Sequence, residues 1–227
     1  MTKQLTDLLK RASLFSHLPE EDLATLAGHL RPRLFRKNTI LFHKDQPGDT
    51  LYIVESGHIR VFLPTAAGEE LTVDIAGPGD VVGELALLDG RPRSASAETL
   101  EDTTVQVLSR EEFQQELTAA PRFAASLIAL LSARLRSITE YAESLAFLDI
   151  HGRVARALLQ LGDRHGVEHE GIEIDLDLTQ AELASMVGAT RERVNRALAS
   201  FRAQGLVEMR GKKIALLDAE RLRQRIY

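Results

Sequence analysis

Cysteine is absent from the 227 residues. Without thiols the chain has no disulfide, no thiolate zinc site, no cysteine-ligated iron–sulfur cluster and no thiol redox switch. Long apolar runs are also missing: nothing approaches the roughly 20 residues that a membrane span needs. Residues 1–30 lack the apolar core of a signal peptide, so the expected location is the cytoplasm. Catalytic signatures do not stand out either. There is no Ser/His/Asp grouping, no metal-ligand spacing and no nucleotide-hydrolysing loop, and Glu69-Glu70 reads as a hairpin turn. The chain is not expected to be an enzyme.

What is present is ordinary for a globular protein: 44% hydrophobic and 27% charged residues, enough for one large domain or two modest ones. The net charge of −5 is unevenly spread. Residues 149–227 hold 13 Lys/Arg against 12 Asp/Glu, and the first 148 hold 15 against 21. Within 187–225 the count is 10 basic against 4 acidic, so positive charge near the C-terminus can act locally on a polyanion.

Two textures follow one another. From Leu34 to Leu108, apolar-alternating runs such as D-T-L-Y-I-V-E-S-G-H-I-R-V-F-L are separated by turn residues at Asp45–Asp49, Gly57, Ala66–Gly68 and Gly77–Asp80. That spacing predicts an antiparallel sandwich or barrel, preceded by helical segments over about residues 3–12 and 20–29. Pro121 then opens a long helical stretch. Ile128, Leu131, Leu135, Ile138, Ala142 and Leu145 are spaced 3-4-3-4-3, with Arg134, Arg136, Glu140 and Glu143 off the seam. Such a seam packs either on a twin helix, giving a parallel dimer, or on the β region of the same chain. Asp149 to Gly152 reads as a hinge.

One loop carries unusual chemistry. In G-E-L-A-L-L-D-G-R-P-R-S, residues 83–94, a carboxylate at Glu84 is followed nine residues later by Arg93, with Pro92 before it and Ser94 after it. One reading is a surface turn with a Glu84–Arg93 ion pair. The other is a pocket for a small anion that also carries hydroxyls, because Glu84 accepts from a hydroxyl and Arg93 presents a planar fork to phosphate oxygens.

The C-terminal region carries a stronger signal. T-Q-A-E-L-A-S-M-V opens with a capping box, Thr179 and Glu182. A turn follows at Gly188-Ala189, and Thr190 is suited to cap a second helix. Ala184 allows close helix approach and Val194 packs inward, which together make a helix-turn-helix. T-R-E-R-V-N-R-A-L places Arg191, Glu192 and Asn195 in the first turns, with Arg196 one turn beyond Glu192. Such a helix enters the major groove, where arginine pairs with guanine and a carboxylate accepts from cytosine N4. Thr190, Lys212 and Lys213 are suited to phosphates, the lysines lying in a hairpin around Arg210-Gly211-Lys212. Thr179 and Gln180, at the head of the first helix, join the same DNA-binding set. The alternative for this face is a solvated surface held by Arg–Glu pairs.

Taken in order, these motifs resemble the CRP/FNR family of bacterial transcription regulators, in the cyclic-AMP receptor branch. G-D-T-L-Y-I-V-E-S-G-H-I-R-V resembles the family's β-roll core, and G-P-G-D-V-V-G-E-L-A-L-L-D-G-R-P-R-S-A its phosphate-binding cassette. F-L-D-I-H-G-R-V-A resembles the hinge, and T-Q-A-E-L-A-S-M-V-G-A-T-R-E-R-V-N-R the DNA-reading helices. The resemblance implies an α+β chain in three parts. Residues 1–118 would form a cyclic-nucleotide-binding jelly roll with flanking helices, 119–148 a dimerisation helix, and 149–227 a winged helix-turn-helix.

Carried over residue by residue, the resemblance implies that Gly83 and Glu84 receive the ribose 2′-hydroxyl, with Leu85 beside them. Arg93 and Ser94 would hold the cyclic phosphate of cyclic AMP, an allosteric effector. Where the cyclic-AMP receptor has a Thr-Ser pair facing the base, this chain has Ile138 and Thr139. Ile138 offers no hydrogen bond, which weakens the base half of the site. Arg191, Glu192 and Arg196 occupy the base-reading positions and imply a palindrome with half-sites like TGTGA. Asn195 replaces a glycine there. RNA polymerase is the protein partner the family implies. The competing expectation is a ligand-independent regulator with a degenerate pocket.

Overall fold

The computed structural model describes residues 2–12, 14–15 and 18–226. The chain divides into two compact units, one comprising residues up to Glu69 with Val73–Arg136, the other Glu70–Thr72 with Ser137 onward.

The first unit starts with α1 (Thr2–Arg11) and α2 (Glu20–His29), at the positions expected from the sequence. The β region contains β1 (Arg31–Phe35), β2 (Ile40–Phe42), β3 (Thr50–Ser56), β4 (Ile59–Pro64), β5 (Glu70–Ala76), β6 (Val81–Val82), β7 (Ser96–Thr99) and β8 (Thr103–Ser109). They form two antiparallel sheets, ordered β1-β8-β3-β6 and β2-β7-β4-β5. Alternation along β3 explains its burial on both faces. Leu51 and Ile53 join a core under the N-terminal helices with Leu9, Leu23, Leu108, Phe113 and Phe123, while Tyr52 and Val54 pack between the sheets with Phe42, Ile59, Ala97 and Val105. Phe123 stacks on Phe15 at 5.5 Å between ring centroids and meets Phe113 edge-on at 5.4 Å.

Between β6 and β7 the sequence suggests only a short loop. The structure has a six-residue helix there, α3 (Glu84–Asp89), entered from Gly83 at φ 92° and left through Gly90 at φ 70°. Both backbones lie in the left-handed region that favours glycine. Then come α4 (Arg110–Ala119) and the long α5 (Pro121–Phe147). Ser109 and Glu112 close a capping box on α4. Pro121 is the first residue of α5, where its missing N–H costs nothing.

The second unit contains α6 (Ile150–His165), β9 (Gly166–Glu168), β10 (Ile172–Ile174), α7 (Gln180–Val187), α8 (Arg191–Ala203), β11 (Val207–Arg210), β12 (Lys213–Leu216) and α9 (Ala219–Arg223). The hinge is shorter than the sequence suggests. Only Leu148 and Asp149 separate α5 from α6, because Asp149 caps α6 by accepting from the Gly152 N–H at 2.8 Å, which draws Gly152 into the helix. Val154, Leu158 and Leu161 of α6, Leu183 and Val187 of α7, and Val194, Leu198 and Phe201 of α8 are buried. The β strands form a separate sheet ordered β11-β12-β10-β9.

Candidate ligand and nucleic-acid sites

Of the charged residues in the cassette, Glu84 and Arg93 are the two that are buried. Arg93 is 3% exposed. Its Nη1 donates to the Gly83 carbonyl at 2.8 Å, and its Nη2 to the Thr50 carbonyl at 2.8 Å and to Thr50 Oγ1 at 3.2 Å. The guanidinium carbon lies 4.2 Å from the Phe42 ring centroid. Burial lowers the Arg93 pKa below the ordinary arginine value, while Tyr52 and Asp49 act to raise it. The group still carries its charge at neutral pH. Nε is buried without a hydrogen-bond partner. An always-charged guanidinium with an orphaned donor is suited to an anion.

Two glycines make room for it. A Cβ on Gly48 would lie 2.6 Å from Arg93 Nε, and one on Gly83 would collide with Nη1. Arg110 fastens the cassette from below by donating to the carbonyls of Gly48 at 2.5 Å and Ala86 at 3.0 Å.

Glu84, 1% exposed, does not pair with Arg93 as the surface-turn reading requires. Its carboxylate meets Arg134 of α5, whose second nitrogen donates to the Val81 carbonyl. Arg134 is not foreseeable from sequence: it lies 50 residues from its partner and off the apolar seam. The one available signal was that a buried carboxylate needs a cation. Leu85 and Ser94 are exposed at the rim, with Gly83 partly covered. Ile138 and Thr139 lie on exposed surface of α5 in the second unit. A buried carboxylate and a buried guanidinium with a free donor suit a ligand that carries both hydroxyls and an anionic group.

The candidate nucleic-acid site is built on the α7–α8 turn. Thr179 and Glu182 close the expected capping box on α7, with Gln180 as its first residue. Gly188, at φ 59°, terminates the helix in the left-handed conformation, and Arg153 Nη1 donates to the Val187 carbonyl at 2.9 Å. Thr190 caps α8, accepting from Arg193 N–H at 3.4 Å. Burying Val194, Ala197, Leu198 and Phe201 leaves Arg191, Glu192, Asn195 and Arg196 on the opposite, exposed face. Among the described residues no ion pair joins these side chains to each other.

Comparison with known proteins decides the family. Residues 32–119 match the Cyclic nucleotide-binding domain and residues 152–225 the Crp-like helix-turn-helix domain. The chain is 36% identical to the CRP-like cAMP-activated global transcriptional regulator of Mycobacterium tuberculosis, over 97% of this chain and 99% of that one. The chain belongs to the CRP/FNR family of transcription regulators.

This CRP/FNR regulator is also 32% identical to the Cyclic AMP receptor protein of Thermus thermophilus, covering 95% and 97% of the two chains. Among solved structures it is similar to the c-di-GMP responsive global regulator CLP of Xanthomonas campestris, with a TM-score of 0.75 and 29% identity over 88% of this chain and 100% of that one. The chain thus carries a cyclic nucleotide-binding domain and a DNA-binding helix-turn-helix. No described helix is long and apolar enough to cross a membrane, and no described His/Cys/Asp/Glu group could hold a metal ion.

The other expected contacts are less open than α8. Lys213 Nζ lies 2.5 Å from the Asp175 carboxylate, and Lys212 Nζ 3.9 Å from Asp177. On α5 the seam residues Ile128, Leu135 and Ile138 are 66%, 65% and 61% exposed. Ala142 and Leu145 are exposed as well, while Leu131 packs partly against the first unit's core.

Proposed function

We propose that the regulator acts as a homodimer whose DNA affinity is set by a cyclic nucleotide, cyclic AMP, at the cassette, and that it reads a palindrome with TGTGA-like half-sites. The observation that carries this reading is the buried pair of complementary groups, Glu84 with carboxylate oxygens for ribose hydroxyls and Arg93 with an unpartnered Nε for the cyclic phosphate. The names of the two curated relatives support cyclic AMP, and the exposed seam of α5 supports a twin helix as its cover.

Arg134 gives the cassette a route to the long helix. It links α5 to Glu84, so engagement of Glu84 by a hydroxyl changes what holds that helix. The effector supplies differential contacts to two arrangements of the dimer, and it favours the one that spaces two copies of α8 about one DNA turn apart. Arg191, Glu192 and Arg196 then read base edges while Thr190 receives a phosphate. The setting is the cytoplasm, the protein partner is RNA polymerase, and the chain performs no catalysis.

A second reading, a ligand-independent regulator, is favoured by one observation: Glu84 already has a partner in Arg134. Isothermal titration of the purified protein with cyclic AMP separates the two. Saturable heat at one site per chain is expected. No heat at millimolar nucleotide assigns the protein to the second reading.

A further inference from the structure

The basic groups of the second unit differ in what they already touch. On α8, Arg191 and Arg196 are exposed and carry no ion pair among the described residues. On the hairpin, each cation faces a carboxylate. Arg210 lies 2.8 Å from Glu208, 3.5 Å from Glu173 and 3.9 Å from Glu170. Lys213 lies 2.5 Å from Asp175 and 3.8 Å from Glu173, and Lys212 lies 3.9 Å from Asp177.

Sheet register produces this pattern. Glu208 and Glu173 both lie opposite Ala215, one on each side, and Arg210 lies opposite Lys213. With a side-chain period of two, these groups share the face opposite to buried Ile174, Val207, Ile214 and Leu216. Asp175, the next residue after β10, extends the Arg210–Lys213 row. Composition reinforces it. Residues 166–178 hold Glu168, Glu170, Glu173, Asp175 and Asp177 with no Lys or Arg, whereas residues 206–217 hold Arg210, Lys212 and Lys213 with Glu208. The hydrogen bond from Lys213 to Asp175 raises the lysine pKa above its ordinary value.

We propose that Asp175, supported by Glu173, is a built-in counterion for the wing: it holds Lys213 from DNA phosphates and lowers sequence-independent affinity, leaving discrimination to α8. This deepens the DNA-binding reading and rests on it. A free lysine that reaches a phosphate releases condensed cations from the duplex, which drives binding. A lysine already paired with Asp175 exchanges one anion for another and gains little. Lower generic affinity matters because a genome presents an excess of competing non-specific sites.

Fluorescence anisotropy of the full-length protein tests it, on a duplex with a TGTGA palindrome and on a scrambled duplex of equal length, across a salt series. Asp175→Asn is expected to tighten both by about three- to tenfold and to steepen the slope of log K against log salt by about 0.9. Lys213→Ala should then cost more affinity in the Asp175→Asn background than alone. Asp163→Asn, on α6 and outside the hairpin, makes the same change in net charge and should not reproduce the gain. Circular dichroism verifies that each variant is folded. The inference is overturned if Asp175→Asn matches the parent on both duplexes, or if Asp163→Asn tightens them equally. A parent protein that binds neither duplex at low salt, either with cyclic AMP or without it, overturns the DNA reading itself and this inference with it.

Discussion

Arg93 and Glu84 carry opposite charges and sit within one buried cassette, yet each is satisfied elsewhere. Arg93 spends two nitrogens on backbone carbonyls and keeps Nε in reserve, and Glu84 is held by Arg134. Arg93→Ala therefore removes both an anion contact and a brace across Gly83 and Thr50. Titration calorimetry should show cyclic AMP binding weakened by about 1.5–3 kcal/mol, roughly 10- to 150-fold. Arg93→Lys keeps the charge but cannot supply the fork, and should recover only part of the loss. The cassette was legible because Gly83, Glu84 and Arg93 lie within eleven consecutive residues and their chemistry is complementary. Arg134 was not, since nothing local ties a charged residue off an apolar seam to a carboxylate on another element. The same holds for Arg110, whose contacts to Gly48 and Ala86 arise only from tertiary folding.

At the level of elements, the helix-turn-helix could be read from local signals. Thr179 with Glu182, Gly188 at a positive φ, and Thr190 as a cap each follow from short-range backbone chemistry. The break between α5 and α6 is shorter than the sequence suggests, because a glycine at 152 implies an interruption whereas the Asp149 side chain caps the helix before that glycine is reached. The charge state of the wing was also hidden. Lys212 and Lys213 look free in sequence, and only cross-strand register shows what faces them. Arg191→Ala should cost about 1–3 kcal/mol on the operator and relax specificity at a single base pair, read by anisotropy on singly substituted duplexes. Lys212→Ala, whose ion pair is the longer one, should weaken all duplexes alike and flatten the salt slope by about one unit. Identical behaviour of the two variants would contradict the assigned docking.

For the whole molecule, the outstanding feature is the apolar seam of α5. Ile128, Leu135 and Ile138 are exposed along one stripe, and Ile138 occupies a position that favours packing over hydrogen bonding. A charge in that stripe should prevent two helices from meeting. Leu135→Glu is expected to shift the mass measured by light scattering from about twice 25.1 kDa to 25.1 kDa. Its affinity for a palindromic duplex should fall by about 100-fold or more, because linked half-sites lose their effective concentration.

The central claim, that a cyclic nucleotide sets DNA affinity, is tested most directly by operator binding at about 100 mM KCl, with and without about 1 mM cyclic AMP. The expected result is a dissociation constant for the TGTGA palindrome lowered about tenfold or more by the nucleotide, with the scrambled duplex little changed. Equal, tight binding to the palindrome in both conditions would contradict it.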